Sequence, residues 1–354
     1  MYRVITTLMK MNTPKNTRMK ILRCLLMVRS SIMNSESLIN KWAQISTCKT
    51  IKGYKTIRIT SDCTSDIYLG IDETGCHSLI LNLPKNHGVN FKAVKKEKIA
   101  ITLFPDTNYL IMTLLDEEYN NLFDDLVISL FNSIKDIKEV DLYSKVFIQT
   151  FYQWILFFTS DNNDRLPKDV IKGVWGELIV LKELIQDSDS YSINDVLSGW
   201  TGPYDQGHDF IYDDKHIEVK TKDIKKVSVR LSSEHQLEVE PGKKLTLTVV
   251  SVDEDMESGS SLRDLVLEIK KAIFERLGDF SIILKALLQK GITLQNIQEY
   301  NNYRFKPLNI HDYDCLEEGF PKITTNNLPQ SISNVKYDLN LTNLANYVVL
   351  IREF

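Results

Sequence analysis

Apolar and polar positions change period twice along this chain. Residues 34–115 carry short apolar runs at 66–72, 78–83, 98–104 and 109–115. Turn signals at Thr74-Gly75 and Pro105-Asp106 separate them, so the pattern predicts an antiparallel meander without evident chemistry. Residues 116–187 switch to helical spacing. The stretch 119–134 has apolar residues at Leu122, Leu126, Ile128, Leu130 and Phe131, and 140–158 carries Tyr143, Phe147, Phe151, Tyr152, Trp154, Phe157 and Phe158. An aromatic stripe at this spacing reads as core. A third helix has Pro167 in its first turn and runs to about Gln186. From about residue 190, strand and helix alternate. Strands are expected at 210–212, 216–221, 227–231 and 245–252, helices at 262–277 and 280–289, and added strands at 303–308 and 347–351.

This organisation gives a β-rich N-terminal domain at 34–115 and a mixed α/β (α+β) part at 116–354. Residues 1–32 are set aside. They hold Arg3, Lys10, Lys15, Arg18, Lys20, Arg23 and Arg29 with no acid before Glu36. A signal or transit peptide would look similar. A mis-annotated start or disordered extension, with the natural start at Met33 or nearby, is the preferred reading.

Composition narrows the class. The 354 residues are 43% hydrophobic and 25% charged, which excludes collagen, wholesale disorder and a disulfide scaffold. The net charge of −4 excludes a protein that coats nucleic acid indiscriminately, so any such contact needs a local patch. Five scattered cysteines without a CxxC pair suit a reducing, cytoplasmic setting. No apolar run reaches the ~18 residues that would suggest a membrane span.

The chemistry concentrates between Trp200 and Leu237. In Ile217-Glu218-Val219-Lys220-Thr221-Lys222, strand alternation sends Ile217 and Val219 to a core and Glu218, Lys220 and Lys222 together to the other face. Asp213-Asp214 suits a two-residue hairpin loop, with Tyr212 facing Lys215. Counting back sets Asp209 opposite Glu218, within ~5.5 Å between Cβ atoms. Two neighbouring carboxylates repel unless a divalent cation neutralises them, and hard oxygen ligands suit Mg²⁺ or Mn²⁺. Lys220 would stand beside that ion. The bare pattern is weak, since Asp136-Ile137-Lys138, Asp223-Ile224-Lys225 and Glu268-Ile269-Lys270 repeat it. A third carboxylate strengthens it. Glu177 falls within the buried stripe marked by Val174, Leu178, Leu181 and Ile185, where an unpaired charge costs several kcal/mol. Gly173 and Gly176 weaken that helix by ~1 kcal/mol each unless it approaches a sheet closely.

Taken in order, Gly173–Leu178, Trp200-Thr201-Gly202-Pro203, His208-Asp209-Phe210, Glu218-Val219-Lys220 and the serine-rich stretch 232–237 resemble the PD-(D/E)xK nuclease superfamily. More narrowly, they resemble the "PD-(D/E)xK motif protein" family found beside bacterial restriction and phage-defence genes. His208, where the superfamily name has proline, is a departure. The resemblance implies a restriction-endonuclease-like mixed sheet flanked by helices and Mg²⁺-dependent DNA cleavage. Asp209, Glu218 and Glu177 would bind the metal, and Lys220 would orient the attacking water. Gln236 would hold Lys220 or a DNA phosphate. His208 clusters in sequence with His216 and His235 as polar neighbours. Lys222, Lys225, Lys226 and Arg230, set against Asp223 alone, form the basic patch an acidic chain needs to hold a phosphate backbone. Partners are expected to be DNA, other restriction or defence proteins, and a second copy of the chain. The alternative is a non-catalytic DNA-binding or assembly subunit that retains the fold.

Overall fold

The computed structural model describes residues 33–46, 53–89, 91–159, 165–190 and 192–354. The N-terminal extension of residues 1–32 lies outside them. The chain divides into two compact units between Ser160 and Asp161.

The first unit contains α1 (Ser35–Ser46), β1 (Lys55–Arg58), β2 (Asp66–Ile71), β3 (His77–Asn82), β4 (Val94–Lys95), β5 (Ile99–Phe104), β6 (Tyr109–Leu114), α2 (Asn120–Ile134) and α3 (Val140–Thr159). Its antiparallel sheet has the order β1-β2-β3-β6-β5-β4. This is two three-stranded meanders, β1-β2-β3 and β4-β5-β6, joined by pairing of β3 with β6, rather than the single meander expected. Leu79 and Leu81 of β3, Ile99 and Ile101 of β5, and Leu110 and Met112 of β6 are buried. Helices α2 and α3 belong to this unit, whereas the pattern of the sequence joined them to the C-terminal part. The reason is packing: α1 contacts α2, α3 contacts β5, and Trp42 Nε1 donates to Asp124 Oδ1 at 2.8 Å.

The second unit contains α4 (Lys168–Asp187), α5 (Ile193–Ser198), β7 (Phe210–Ile211), β8 (Lys215–Asp223), β9 (Ser228–Leu231), β10 (Lys244–Glu254), β11 (Ser260–Ser261), α6 (Leu262–Glu275), α7 (Ser281–Gln289), β12 (Arg304–Asp314), β13 (Tyr337–Asn340) and β14 (Val348–Glu353). The sheet runs β11-β12-β10-β8-β7, and β14 also pairs with β12. It is mixed, because β10 pairs parallel with β8 and antiparallel with β12. The apolar run of β10 explains its central place: Leu247, Val249, Val250 and Val252 are all buried. A ribbon of β9 and β13 covers one sheet face through Val229, Leu231, Leu247, Val249, Tyr313 and Leu339. Helix α4 lies on the opposite face, toward which Thr221 points. A methyl added to Gly176 would stand 1.8 Å from Thr221 Oγ1. Helix α6 packs against α4 and starts with a reciprocal cap between Ser261 and Asp264.

Candidate active site

The site is built around the β7–β8 hairpin, which has the register counted from the sequence. Phe210 pairs with Ile217 and Ile211 with His216, and Tyr212 N donates to Lys215 O at 2.9 Å around Asp213-Asp214. One step further, β7 has ended and the edge of β8 offers an unclaimed backbone donor. Asp209 takes it: the N–H of Val219 donates to Asp209 Oδ2 at 2.7 Å. The backbone of Asp209 is clamped in turn, because the N–H groups of Thr201 and Gly202 both donate to its carbonyl, at 2.8 and 2.9 Å.

Glu218 and Lys220 share one face of β8 by strand alternation. Lys220 Nζ donates to Glu218 Oε1 at 2.6 Å. Glu218 is 1% exposed and the Lys220 side chain 16%. Glu177 arrives from α4. Its Oε2 accepts from the indole Nε1 of the buried Trp200 at 2.7 Å. A methyl built on Gly202 would stand 2.7 Å from both Glu177 Oε2 and Asp209 Oδ1, so the two carboxylates flank one point. Only a residue without Cβ leaves that point open.

The electrostatics reflect this crowding. Burial, then repulsion from Asp209, pushes Glu177 up to about 8, against the indole hydrogen bond and the attraction of Lys290 and Lys220. Asp209 is raised by burial, opposed by Lys220 and the Val219 N–H. Glu218 is raised well above the usual range by burial and then by Asp209, with Glu177 adding to it. Burial alone would lower Lys220, but Glu218, Asp209 and Glu177 outweigh it and raise it. Each of the four expected residues thus acts electrostatically on others of the set. Three carboxyl groups against one adjacent ammonium make it costly for all three to ionise together in a largely buried place.

That donor set fits a hard divalent cation. It consists only of carboxylate oxygens, which suit Mg²⁺ or Mn²⁺, and a second positive charge would relieve the repulsion. Asp209, Glu218 and Glu177 could hold such an ion. Among the described residues no group of three or more His, Cys, Asp or Glu side chains is arranged, as it stands, to hold a metal ion. Lys220 takes Glu218 Oε1 and Val219 takes Asp209 Oδ2, which leaves Glu218 Oε2 and Asp209 Oδ1 to meet an ion.

The remaining expected residues lie in varied settings. His208 is buried, its ring 5.0 Å from that of His216, and burial followed by His216 lowers its pKa. His235 stands apart from this pair, exposed and 3.1 Å from Glu238. Gln236 Oε1 accepts from Ser232 N at 2.6 Å, so that end of the side chain closes its own loop. Lys222 is half-buried on the Lys220 face, and burial lowers its pKa. Lys225 and Lys226 are exposed, Lys226 lying 3.7 Å from Asp223. Arg230 reaches Asp338 of β13 at 3.5 Å. Two contributors escaped the sequence reading: Trp200 as a hydrogen-bond donor, and Lys290, which follows α7 and lies 2.7 Å from Asp205. The repeats of the Asp/Glu-x-Lys pattern are used otherwise, with Asp223 beside Lys172 at 3.5 Å and Glu268 beside Lys182 at 2.6 Å.

Among the described residues, no helix is long and apolar enough to cross a membrane. Neither the curated proteins nor the solved structures contain a match to the chain. A family model described as "Putative PD-(D/E)XK family member (DUF4420)" matches residues 38–342, most of the chain, and the protein belongs to that family.

Proposed function

We propose that this protein is a Mg²⁺-dependent endonuclease that hydrolyses phosphodiester bonds in DNA, with Mn²⁺ as a substitute ion, in a cytoplasmic restriction or phage-defence system. The observation that carries the reading is the convergence of Glu177, Asp209, Glu218 and Lys220 at one edge of β8. Asp209, Glu218 and Glu177 would hold the ion. When bound, Mg²⁺ supplies a water of lowered pKa and polarises the phosphoryl oxygen.

The chain's own residues do the rest. Trp200 fixes one oxygen of Glu177, so that carboxylate presents its other oxygen in a set direction. The Val219 N–H does the same for Asp209. Lys220 stays charged because three carboxylates favour its ammonium. Released from Glu218, it meets negative charge growing on the phosphate and orients the attacking water. Activity as a homodimer would suit cutting of both strands.

Incubation of plasmid DNA with purified protein, with and without Mg²⁺, tests the reading. Nicked or linear product is expected only with the ion, and Lys220→Ala should slow it by ~10²–10³-fold, as for loss of one transition-state charge partner. Metal-independent, equal behaviour of both proteins would favour the non-catalytic subunit instead.

A further inference from the structure

The face of β8 that carries Glu218 and Lys220 continues sideways across the sheet. Lys220 pairs with Val249 of β10, which pairs with His311 of β12, and Lys222 pairs with Ser251, which pairs with Asn309. Cross-strand partners share a face. Lys222, Val249, Ser251, Asn309, His311 and Tyr313 therefore line one continuous shelf beside Lys220. The loop after β8 rises over it with Lys226, and together they enclose a groove of about 250 Å³. This is smaller than the roughly 300–1,000 Å³ of sites that enclose whole small molecules.

The chemistry of the groove is graded. Lys222 and Lys226 supply positive charge on the side nearest β8. Val249 and Tyr313 form an apolar floor, and the His311 and Tyr313 rings lie side by side, 6.3 Å apart between centroids and tilted by 33°. Asn309 closes the far end, with its Oδ1 buried. A ring surface suits a flat heterocycle, and paired lysines suit the phosphate attached to it.

We propose that this groove holds one unpaired nucleotide of the DNA strand that crosses the active site. Its base lies against His311, and its phosphate lies between Lys222 and Lys226. The proposal rests on the phosphodiesterase reading for its substrate class. It adds that an unstacked base is read next to the cleavage point.

Fluorescence anisotropy on the full-length protein, in EDTA so that nothing is cut, tests it. The probe is a labelled single-stranded oligonucleotide in which one abasic site is moved stepwise along the strand. One position should weaken binding by at least about fivefold, the lower bound for loss of one base–aromatic stack. His311→Ala should weaken the intact strand similarly and erase the positional penalty, whereas His311→Phe should retain both. Lys222→Ala should weaken every probe alike. A flat profile across all positions, a penalty that survives His311→Ala, or no binding of the strand by the wild type would each overturn the proposal. Lys220→Ala separates this outcome from that of the cleavage reading, because it slows cutting and leaves the ratio between abasic and intact probes in place.

Discussion

Gly176 of α4 sits directly on Thr221 of β8: a methyl in place of its hydrogen would stand 1.8 Å from Thr221 Oγ1 and 3.0 Å from Thr221 Cβ. This close approach brings the next residue, Glu177, to the edge of the strand that carries Glu218 and Lys220. Gly173, one turn earlier, has nothing within 4 Å of the place a methyl would occupy and makes no such approach. The two glycines therefore separate. Gly173→Ala should stabilise the protein by up to about 1 kcal/mol through helix propensity. Gly176→Ala should destabilise it by roughly 1–3 kcal/mol, since overpacking against a strand outweighs that gain. Urea unfolding of both variants checks the opposite signs.

The indole of Trp200 holds Glu177 toward its charged form, because its N–H donates to the carboxylate. Trp200→Phe keeps most of the buried ring and removes the donor. Glu177 should then titrate at still higher pH. Cation binding needs deprotonated carboxylates, so the pH midpoint of Mg²⁺ binding should move upward in this variant. Calorimetry across a pH series reads that midpoint, and an unchanged value would remove Trp200 from the account.

Raised carboxylates also set a stability profile. Glu177 ordinarily titrates near 4.5 and here near 8, so within that window the folded chain binds more protons than the unfolded one. Stability therefore falls as pH rises from about 4.5 to about 8, the benefit being complete below the lower value and lost through the upper. Metal-free Tm should decline across this interval, Glu177→Gln should flatten the decline, and added Mg²⁺ should offset it at the alkaline end. A Tm that climbs over the same interval in the metal-free wild type would contradict the crowding described.

Arg230 and Asp338 form an exposed cross-strand pair at 3.5 Å. Such pairs contribute little, so Arg230→Ala should change stability by no more than about 0.5 kcal/mol. If Arg230 faces a DNA backbone, the same variant should weaken binding of every sequence alike and reduce the salt slope of log K by about 1. Anisotropy titrations at several salt concentrations distinguish the two roles.

Much of this site was legible in the sequence, for local reasons. The Asp213-Asp214 loop and the two-residue alternation define the register of β7 and β8, and that register carries Asp209 to Glu218. The stripe on α4 flagged Glu177 because a charge interrupts it. What stayed hidden depends on long-range packing. The aromatic stripes of α2 and α3 announce burial without saying against which sheet, so the boundary between units could not be read from them. Trp200 reads as an ordinary core residue until a carboxylate 23 positions earlier meets its N–H. Lys290 reaches the site only because α7 folds back beside the 202–204 turn, which no local pattern encodes.

Isothermal titration of the metal-free protein with Mn²⁺ or Mg²⁺ probes the convergence of the three acids most directly. The wild type should bind with release of protons, as raised carboxylates ionise on binding, and Asp209→Asn and Glu218→Gln should each abolish or severely weaken that binding. Wild-type heat indistinguishable from buffer, or binding unaffected by either substitution, would contradict the account.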